Sequence, residues 1–328
     1  MPRHARLAGW TNHVQPAFHI AAAAATAGGI IVDVKDWEII LALHETMNVT
    51  KAARKLFMTQ PALSLRLKNI EQYFNTTLVL RGNKGVQFTQ EGEFLLKMAR
   101  EQIKTIAHIH DTLTNMRDTV SGIIRIGSTN YNTKYFLPLM LRAFKEAYPL
   151  AEFRVSTGVS KDIVSMVHNN DVHVGLIRGV FPWDGERHLL FKEQLLVVNQ
   201  APFRLEDLPS MPLIHYQIAP SNQEQLDKWW DERFTAPPSV TMVVDRADTC
   251  LELIAQGFGF GFLPASILVG EDGLACRKMR FLSKAPVERF VWAILHKDTR
   301  QLRLVDAFVR MVCSLEYSSL FWDGGETR

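Results

Sequence analysis

The amino-acid sequence predicts a chain of mixed α+β and α/β architecture, with a small helical N-terminal domain, one long helix and a two-lobed α/β domain. Three observations support this prediction. Two short helical patterns, each with a polar cap, lie between Asn48 and Tyr73. A longer apolar period runs from Glu91 to about Thr119, and strands alternate with helices from Ile123 onward. The expected boundaries are 34–91 for the first domain, 92–120 for the long helix and 121–320 for the α/β domain.

Residues 1–33 differ in composition from the rest of the 328-residue chain. They contain the run Ala21 to Ala25, but His13 and His19 interrupt the continuous apolar core that a signal peptide needs. We expect this segment to be irregular or disordered and to carry no function. Val34 is a candidate for the true start of the protein.

Three short helices are expected in the first domain, the first of them from Asp36 to Thr46. Thr50 is the expected N-cap of the second helix and Thr59 that of the third, where Pro61 falls in the first turn and its missing N–H costs nothing. The side chains expected to face the interior are Trp37, Ile40, Leu41 and Leu43 in the first helix, Ala52, Ala53, Leu56 and Phe57 in the second, and Ala62, Leu63, Leu67 and Ile70 in the third.

The outer side of these helices is basic. Between Thr50 and Lys84 the only acid is Glu71, although the whole chain has a net charge of only +3. Hydroxyl, amide and cationic groups near a helix N-terminus suit the phosphates and base edges of double-stranded DNA. A solvated helical hairpin that binds no nucleic acid is the alternative. The residues expected to contact DNA are Thr50, Lys51, Arg54, Thr59, Gln60, Pro61, Ser64, Arg66, Lys68, Arg81 and Lys84.

A hairpin and a long helix are expected next. Gly82-Asn83 and Lys84-Gly85 suit a tight turn within the segment Leu80 to Phe88. The helical pattern that follows covers about 28 residues, or roughly 40 Å at the helical rise. Nothing else in the sequence is expected to cover its apolar side. A homodimer, or a homotetramer of such dimers, would cover this side, and packing within one chain is the alternative.

The remainder of the chain predicts a parallel sheet covered by helices. Expected strands are Ile123 to Gly127, Glu152 to Ser156, Val172 to Ile177, Leu213 to Tyr216, Val240 to Val244, Gly261 to Leu263 and Val287 to Leu295. Expected helices are Tyr135 to Tyr148, Lys161 to His168, Asn222 to Arg233, Thr249 to Gln256 and Leu302 to Leu315. One lobe should take about 121–199 and 287–320, and the other about 200–286.

Ligands of open parallel sheets bind at the carboxyl ends of the strands, which here open into a cleft between the lobes. Several hydroxyl, amide and cationic groups are expected there, with Asp245 and Asp248 as the only nearby carboxylates, and this balance favours a small anionic metabolite. For the hydroxyls, simple N-capping is the alternative role, and Arg178 could be an exposed cation at a strand end. The expected ligand-binding residues are Ser128, Thr129, Asn130, Ser160, Arg178, His215, Tyr216, Arg246, Thr249 and Arg289.

The sequence gives little support for an enzyme, a metalloprotein or a membrane protein. No Gly-x-Ser-x-Gly, His-Glu-x-x-His or Walker motif is present, so no enzyme activity, cofactor or metal is expected. The sequence contains no run of about 18 apolar residues, the length needed to span a membrane. Cys250, Cys276 and Cys313 show no metal-binding or disulfide spacing, which favours the reducing cytoplasm. Cys250 is expected to be a small buried apolar residue, with a redox or ligand-pocket thiol as the alternative.

The segment Thr59-Gln60-Pro61-Ala62-Leu63-Ser64 closely resembles the start of the recognition helix in LysR-type transcriptional regulators. Thr89-Gln90-Glu91-Gly92 resembles the entry to their linker helix, and the likeness continues almost to the C-terminus. Leu65 departs from the pattern, because many members carry Arg there. The resemblance implies a winged helix-turn-helix, a dimer on a pseudo-palindromic site, and an effector domain similar to periplasmic binding proteins. The resemblance also allows RNA polymerase as a further partner.

The effector half also resembles the branch of carbon-metabolism regulators that respond to citrate. The resemblance rests on Leu176-Ile177-Arg178-Gly179, Lys228-Trp229-Trp230 and Asp245-Arg246-Ala247-Asp248-Thr249-Cys250, and it implies a tricarboxylate effector. The alternative for the whole chain is a solute-binding or transport component with an incidental helical appendage. That alternative requires export, for which residues 1–33 offer no suitable signal.

Overall fold

A computed structural model of the protein describes residues 31–82, 85–115, 120–271 and 273–321, without the side chains of Arg81 and Asn115. The chain divides into two compact units, Met1–His110 and Asp111–Arg328. Nearly all of the segment expected to be irregular, residues 1–30, lies outside the described residues. Within the described ranges no helix combines the length and the apolar character needed to cross a membrane.

The first unit is a three-helix domain with a hairpin. Its elements are α1 Val34–Thr46, α2 Val49–Lys55, α3 Gln60–Tyr73, β1 Val79–Gly82, β2 Gly85–Phe88 and the start of α4 Gln90–Asn115, which ends in the second unit. The strands β1 and β2 pair antiparallel as the turn signals predict, although Asn83 and Lys84 lie outside the described residues. The buried core joins all these elements and includes Ile39, Ile40, Leu43, Ala52, Ala53, Leu63, Leu67, Ile70, Leu78, Val86 and Leu96.

The helix starts differ in part from the predictions. Thr59 caps α3 as expected, because its hydroxyl accepts from the N–H of Ala62. The cap of α2 is Asn48 and not Thr50: Asn48 has an extended backbone and its side-chain oxygen accepts from the N–H of Lys51 at 2.9 Å. Thr50 lies one residue inside the helix, where its side chain is exposed.

The expectation for Phe57 was also wrong. Its side chain is 99% exposed, because the chain turns between α2 and α3 with Phe57 in the left-handed region at φ 55°. Leu56, one residue earlier, packs against the core in its place. The helical pattern predicted a buried Phe57 because it was extended beyond the last residue of α2 into the turn, where the helical spacing no longer applies.

The first helix begins earlier than expected, because Asp33 forms a capping box with Asp36. The Asp33 carboxylate accepts from the N–H of Asp36, and the Asp36 carboxylate accepts from the N–H of Asp33. Arg66 of α3 reaches the same pair, with its Nη2 2.7 Å from Asp33 Oδ2 and its Nε 3.4 Å from Asp36 Oδ1. Asp33, assigned from sequence to a segment without function, thus ties α1 to α3.

The second unit carries two sheets joined by one strand. Its strands are β3 Gly122–Thr129, β4 Ala151–Gly158, β5 Val174–Arg178, β6 Glu186–Asn199, β7 Pro212–Tyr216, β8 Ser239–Val244, β9 Gly261–Pro264, β10 Ala275–Lys278 and β11 Glu288–Leu295. Its helices are α5 Asn130–Tyr135, α6 Leu137–Ala147, α7 Ser160–His168, α8 Pro220–Asp231, α9 Ala247–Ala255 and α10 Arg303–Ser314. The expected helix at 135–148 is therefore split, with Phe136 between α5 and α6.

The strand β6 belongs to both lobes. Its first part pairs with β11 in the sheet β4-β3-β5-β11-β6, and its second part pairs with β9 and β10 in the other lobe. There β7 and β8 run parallel, and a bridge from Leu213 to Phe260 links β7 to the segment before β9. Sequence analysis predicted neither β6 nor β10. It correctly assigned the strand near 287–295 to the first lobe, where β11 pairs with β5.

The last turn of α4 is fixed to the sheet of the second unit. Asp111 Oδ2 lies 2.8 Å from Arg125 Nη2 and 3.1 Å from His173 Nε2. The other ring nitrogen of His173 accepts from the backbone N–H of Arg125. Since His173 is almost fully buried and Asp111 and Arg125 are largely so, this cluster holds the helix end by charged hydrogen bonds on β3.

The Asp33 cap predicts a measurable effect on stability. Asp33→Ala should lower the free energy of unfolding by about 1 kcal/mol at neutral pH, because it removes an N-cap and a partner of Arg66. Arg66 holds the pKa of Asp33 below its usual range, so this stabilisation is present above the usual Asp pKa and is lost as the pH falls through the lowered value. Urea unfolding of the full chain measures the difference.

Glu38→Ala is the matched control, because Glu38 makes only an exposed i,i+3 pair with Lys35 on the same helix. Its substitution should change stability by less than about 0.5 kcal/mol. Equal effects of the two substitutions would contradict the role given to Asp33.

Candidate functional site

The helix α3 has one buried and one exposed side. Leu63, Leu67 and Ile70 are at most 1% exposed. Beside and opposite this buried side lie the residues that we call the reading face: Gln60, Pro61, Ser64, Leu65 and Lys68. The amide of Gln60 donates to the hydroxyl of Ser64 at 3.3 Å. The Thr59 cap and Pro61 define the start of the helix. The helix N-terminus and the side chains of the reading face are therefore exposed at the same end of α3.

The cations of the first unit are not equivalent. Lys51, Arg54 and Lys68 are exposed, and within the described residues no ion pair involves them. Lys55 pairs with Glu45, and Arg66 is held by Asp33 and Asp36, which raises the pKa of Arg66. Lys51, Arg54 and Lys68 therefore supply free positive charge on α2 and on the reading face, while Arg66 already has carboxylate partners.

Four further residues were predicted to contact DNA, and the structure describes them only in part. Thr50 is exposed on α2, and Thr59 is exposed at the start of α3 while its hydroxyl is used as the cap. Arg81 lies in β1 opposite Val86. Lys84 lies outside the described residues.

A cavity of about 340 Å³ lies between the lobes of the second unit. It opens where β3, β4 and β5 end, as expected from the topology of parallel sheets. The first lobe contributes Thr129, Asn130, Tyr131, Lys134, Tyr135, Gly158, Val159, Ser160, Lys161, Arg178, Phe181 and Arg289, and the second contributes Tyr216, Gln217, Ile218, Ala219, Pro220, Asn222, Asp245, Arg246, Ala247 and Asp248. Its size is at the lower end of small-molecule sites.

Arg178 is the central cation of this cavity. Its guanidinium lies 4.4 Å from the ring centroid of Tyr131, and its Nε is buried without a hydrogen-bond partner in the described structure. Burial, reinforced by the like charge of Arg289, lowers the pKa of Arg178 to about 10, so it is still protonated at neutral pH. A buried cationic donor without a partner is costly unless an acceptor completes it.

Arg289, in contrast, has a carboxylate partner inside the protein, although its Nη2, 2.6 Å from Glu193 Oε2, makes no hydrogen bond of suitable geometry. It lies directly opposite Glu193 on the paired strands β11 and β6, and its Nε donates to Glu193 Oε2 at 2.7 Å. Both residues are at most 3% exposed. Burial opposes the charge of Arg289, but Glu193 outweighs it and raises the pKa above the ordinary value. The Arg289 guanidinium also lies 4.3 Å from the Tyr131 ring centroid, so the two arginines share one ring.

Glu193 also connects this pair to the second lobe's chain. The backbone N–H of Ser266 donates to Glu193 Oε1 at 2.9 Å, and the Ser266 hydroxyl contacts the same oxygen. Since a carboxylate only accepts, the Ser266 hydroxyl donates to it, and the Tyr131 hydroxyl must donate to Ser266 across 2.7 Å. The orientation of Tyr131 under both arginines is thereby fixed.

The mouth of the cavity holds a second charged cluster. Asp248 accepts from Arg246 through two bonds of 2.9 Å and lies 3.2 Å from the Lys134 ammonium. Arg246, with help from Lys134, holds the pKa of Asp248 well below its usual range. Arg246, expected to bind ligand, therefore already has a carboxylate partner at the exposed rim.

The predicted ligand residues separate into groups. Thr129, Asn130, Ser160, Arg178, Tyr216, Arg246 and Arg289 line the cavity, whereas Ser128, His215 and Thr249 do not. Ser128 and His215 each precede a lining residue on a strand, so alternation turns their side chains to the other face. Thr249 is exposed on α9.

Two lining hydroxyls have structural roles. Ser160 Oγ donates to the carbonyl of Arg178 and accepts from its N–H, which joins the end of β5 to the start of α7. Thr129 caps α5. The N-capping alternative therefore holds for Thr129, while Ser160 positions the backbone of Arg178.

Sequence analysis missed Tyr131, Lys134 and Glu193. A signal for Glu193 exists, because it alternates with the inward-facing Phe191 and Leu195 on β6. A charged residue at such a position in a buried sheet needs a buried partner. Since β6 itself was not recognised, this signal was not used.

Cys250 behaves as a buried apolar residue, as expected. Its thiol is fully buried and donates to the carbonyl of Ile214 at 3.4 Å. Burial raises its pKa to about 12, which removes the thiolate that redox chemistry requires. Within the described residues, no group of His, Cys, Asp and Glu could hold a metal ion.

The buried pair predicts a large loss of stability. Glu193→Gln should lower the free energy of unfolding by about 3 kcal/mol, because it leaves Arg289 buried and uncompensated. Glu288→Gln is the matched control: Glu288 lies 3.9 Å from Lys192 on the same two strands but at the partly exposed edge, and its loss should cost less than about 0.5 kcal/mol. Denaturant unfolding of the full chain compares the two, and equal midpoints would contradict the assignment.

Comparisons with known proteins agree with both parts of the structure. Residues 34–93 match the family model of the bacterial regulatory helix-turn-helix protein, lysR family, and residues 117–314 match the LysR substrate binding domain. The chain is 33% identical over 278 residues to the uncharacterized HTH-type transcriptional regulator YraN of Bacillus subtilis (strain 168), covering 85% of this chain and 96% of that protein. It is 22% identical over 240 residues to CzcR of the same strain, covering 73% and 82%.

Solved structures show the same fold. Full-length CbnR bound to its target DNA aligns with a TM-score of 0.64 at 20% identity, covering 86% of this chain and 99% of that one. The full-length virulence activator AphB of Vibrio cholerae aligns with a TM-score of 0.57 at 17% identity, covering 87% and 99%. The chain therefore belongs to the LysR family of DNA-binding transcriptional regulators, with an N-terminal helix-turn-helix and a C-terminal effector-binding domain.

Proposed function

We propose that this regulator binds a pseudo-palindromic DNA site as a dimer, with the reading face of α3 in the major groove. We further propose that a small organic monoanion in the cavity modulates this binding. The single observation that carries the ligand proposal is the buried Nε of Arg178, which lacks an acceptor within the described residues.

The division of charge in the first unit supports the DNA proposal. Lys68 on the reading face and Lys51 and Arg54 on α2 are exposed cations that can meet phosphates, while Gln60 offers an amide to base edges at the helix N-terminus. Arg66 is assigned to holding α3 on α1, since two carboxylates already bind it. We accordingly propose a cytoplasmic location, where a bacterial DNA-binding regulator meets its DNA.

The apolar side chains on α4 support the dimer. Phe94, Ile109 and Leu113 are between 50% and 62% exposed on this helix. Large apolar side chains repeated along one long helix favour burial against a second helix. Two copies related by a two-fold axis would also supply the two reading heads that a pseudo-palindrome requires.

The charge balance of the cavity supports a monoanionic ligand. Glu193 neutralises Arg289, and at the rim Asp248 pairs with both Arg246 and Lys134 and offsets one of their two positive charges. Arg178 is then the inner cation left without a carboxylate among the described residues, so one negative charge completes the site. Tyr131, Tyr135, Phe181 and Tyr216 surround it with aromatic surface. A monocarboxylate with an apolar body suits this cavity better than the citrate implied by sequence resemblance.

The DNA contacts predict different effects of two substitutions. Gln60→Ala should reduce discrimination between the selected site and unrelated duplexes, because an amide that reads base edges is lost. Lys51→Ala should weaken binding to all duplexes alike and lower the slope of log affinity against log salt by about 1. Fluorescence anisotropy over a range of salt concentrations measures both quantities. Unchanged selectivity of the Gln60 variant would remove that side chain from base reading.

The cavity predicts that one substitution removes ligand binding and leaves DNA binding intact. Arg178→Gln should abolish the rise in melting temperature that acetate, an aromatic monocarboxylate, succinate or citrate produces, while affinity for DNA without ligand is retained. Lys161→Gln is the matched control, because Lys161 lines the same cavity at its exposed rim. In the wild type we expect the aromatic monocarboxylate to give the largest shift. A larger shift with citrate would contradict the monoanion proposal.

A further inference from the structure

Leu65 is the large, exposed apolar side chain of the reading face. It is 61% exposed, although the neighbouring positions on α3 that carry leucine, Leu63 and Leu67, are buried. At about 100° per residue, Leu65 lies about 200° around the helix from Leu63, so it points away from the core. It belongs to the first two turns of α3, the part of a recognition helix that meets base edges.

A single exposed leucine is common on protein surfaces and needs no explanation by itself. The position of Leu65 is what distinguishes it. Pro61 and Ala62, one turn earlier, are also exposed, and the polar Ser64 and Lys68 lie together on one side of Leu65. The exposed surface of α3 therefore carries an apolar strip beside a polar one that includes a lysine.

The major groove offers one apolar group, the C5 methyl of thymine. The other base edges present donors and acceptors, and a leucine pressed against them would leave those groups without water or a partner. We propose that Leu65 reads a thymine in each half-site by packing against its methyl group. This inference rests on the proposed docking of α3 in the groove, and it explains how the protein specifies a base where it has no side-chain donor.

The test uses a duplex selected from a random pool by the wild-type dimer. Each thymine of the half-site is replaced in turn by deoxyuridine, which removes the methyl group and leaves the pairing unchanged. One position per half-site should lose affinity by about fourfold, as expected for one buried methyl-sized group. In Leu65→Ala the same replacement should have no effect, whereas Leu65→Met, which keeps an apolar side chain of similar length, should retain it.

A second arm exchanges the specificity. A new selection with Leu65→Arg should replace the thymine by guanine at that position, because arginine donates to guanine O6 and N7. Circular dichroism confirms that the variants fold, as expected for a side chain outside the core. A deoxyuridine effect of equal size in wild type and Leu65→Ala, or no effect at any thymine, would overturn the inference while DNA binding stands. Absence of binding to any duplex would overturn it together with the proposed function.

Discussion

The cavity of the second unit depends on the ion pair between Glu193 and Arg289. These residues face each other on β6 and β11, and Ser266 binds the same carboxylate, so three separate segments of the chain meet at one buried charge. Tyr131 is oriented through Ser266 and lies under both arginines. Because Glu193 pairs with Arg289, Arg178 is the buried arginine left without a carboxylate partner among the described residues. The proposed preference for a monoanion thus depends on a carboxylate that does not line the cavity.

The same principle operates in the first unit. Arg66 is held by Asp33 and Asp36 and so contributes to the packing of α3, while the neighbouring cations stay free for phosphates. In both units, sequence alone suggests more free cations than the structure provides, because carboxylates distant in sequence bind some of them. The cations left over, together with the face of α3 that the core does not use, are the groups on which the proposed DNA and ligand sites rest.

Much of the fold followed from local signals in the sequence. Thr59 and Pro61 specify the start of α3 by hydrogen bonding and fixed backbone geometry, and these act within one turn of the helix. The cleft followed from the rule for strand ends, and seven of the ten residues expected there line it, but most of the lining residues were not expected. The long strand β6 did not, since half of it serves each lobe and its burial pattern changes along its length. Glu193 was missed for the same reason, and its partner Arg289 lies 96 residues further along the chain.

The sharing of β6 by the two sheets limits how the effector domain can respond to a bound molecule. The strand runs without interruption from the pairing with β11 to the pairing with β9 and β10. A wide opening and closing of the lobes would have to break ladder hydrogen bonds in one sheet or the other. Small rotations about this common strand cost far less, so occupancy is expected to be transmitted as a twist of a few degrees rather than as a clamshell movement.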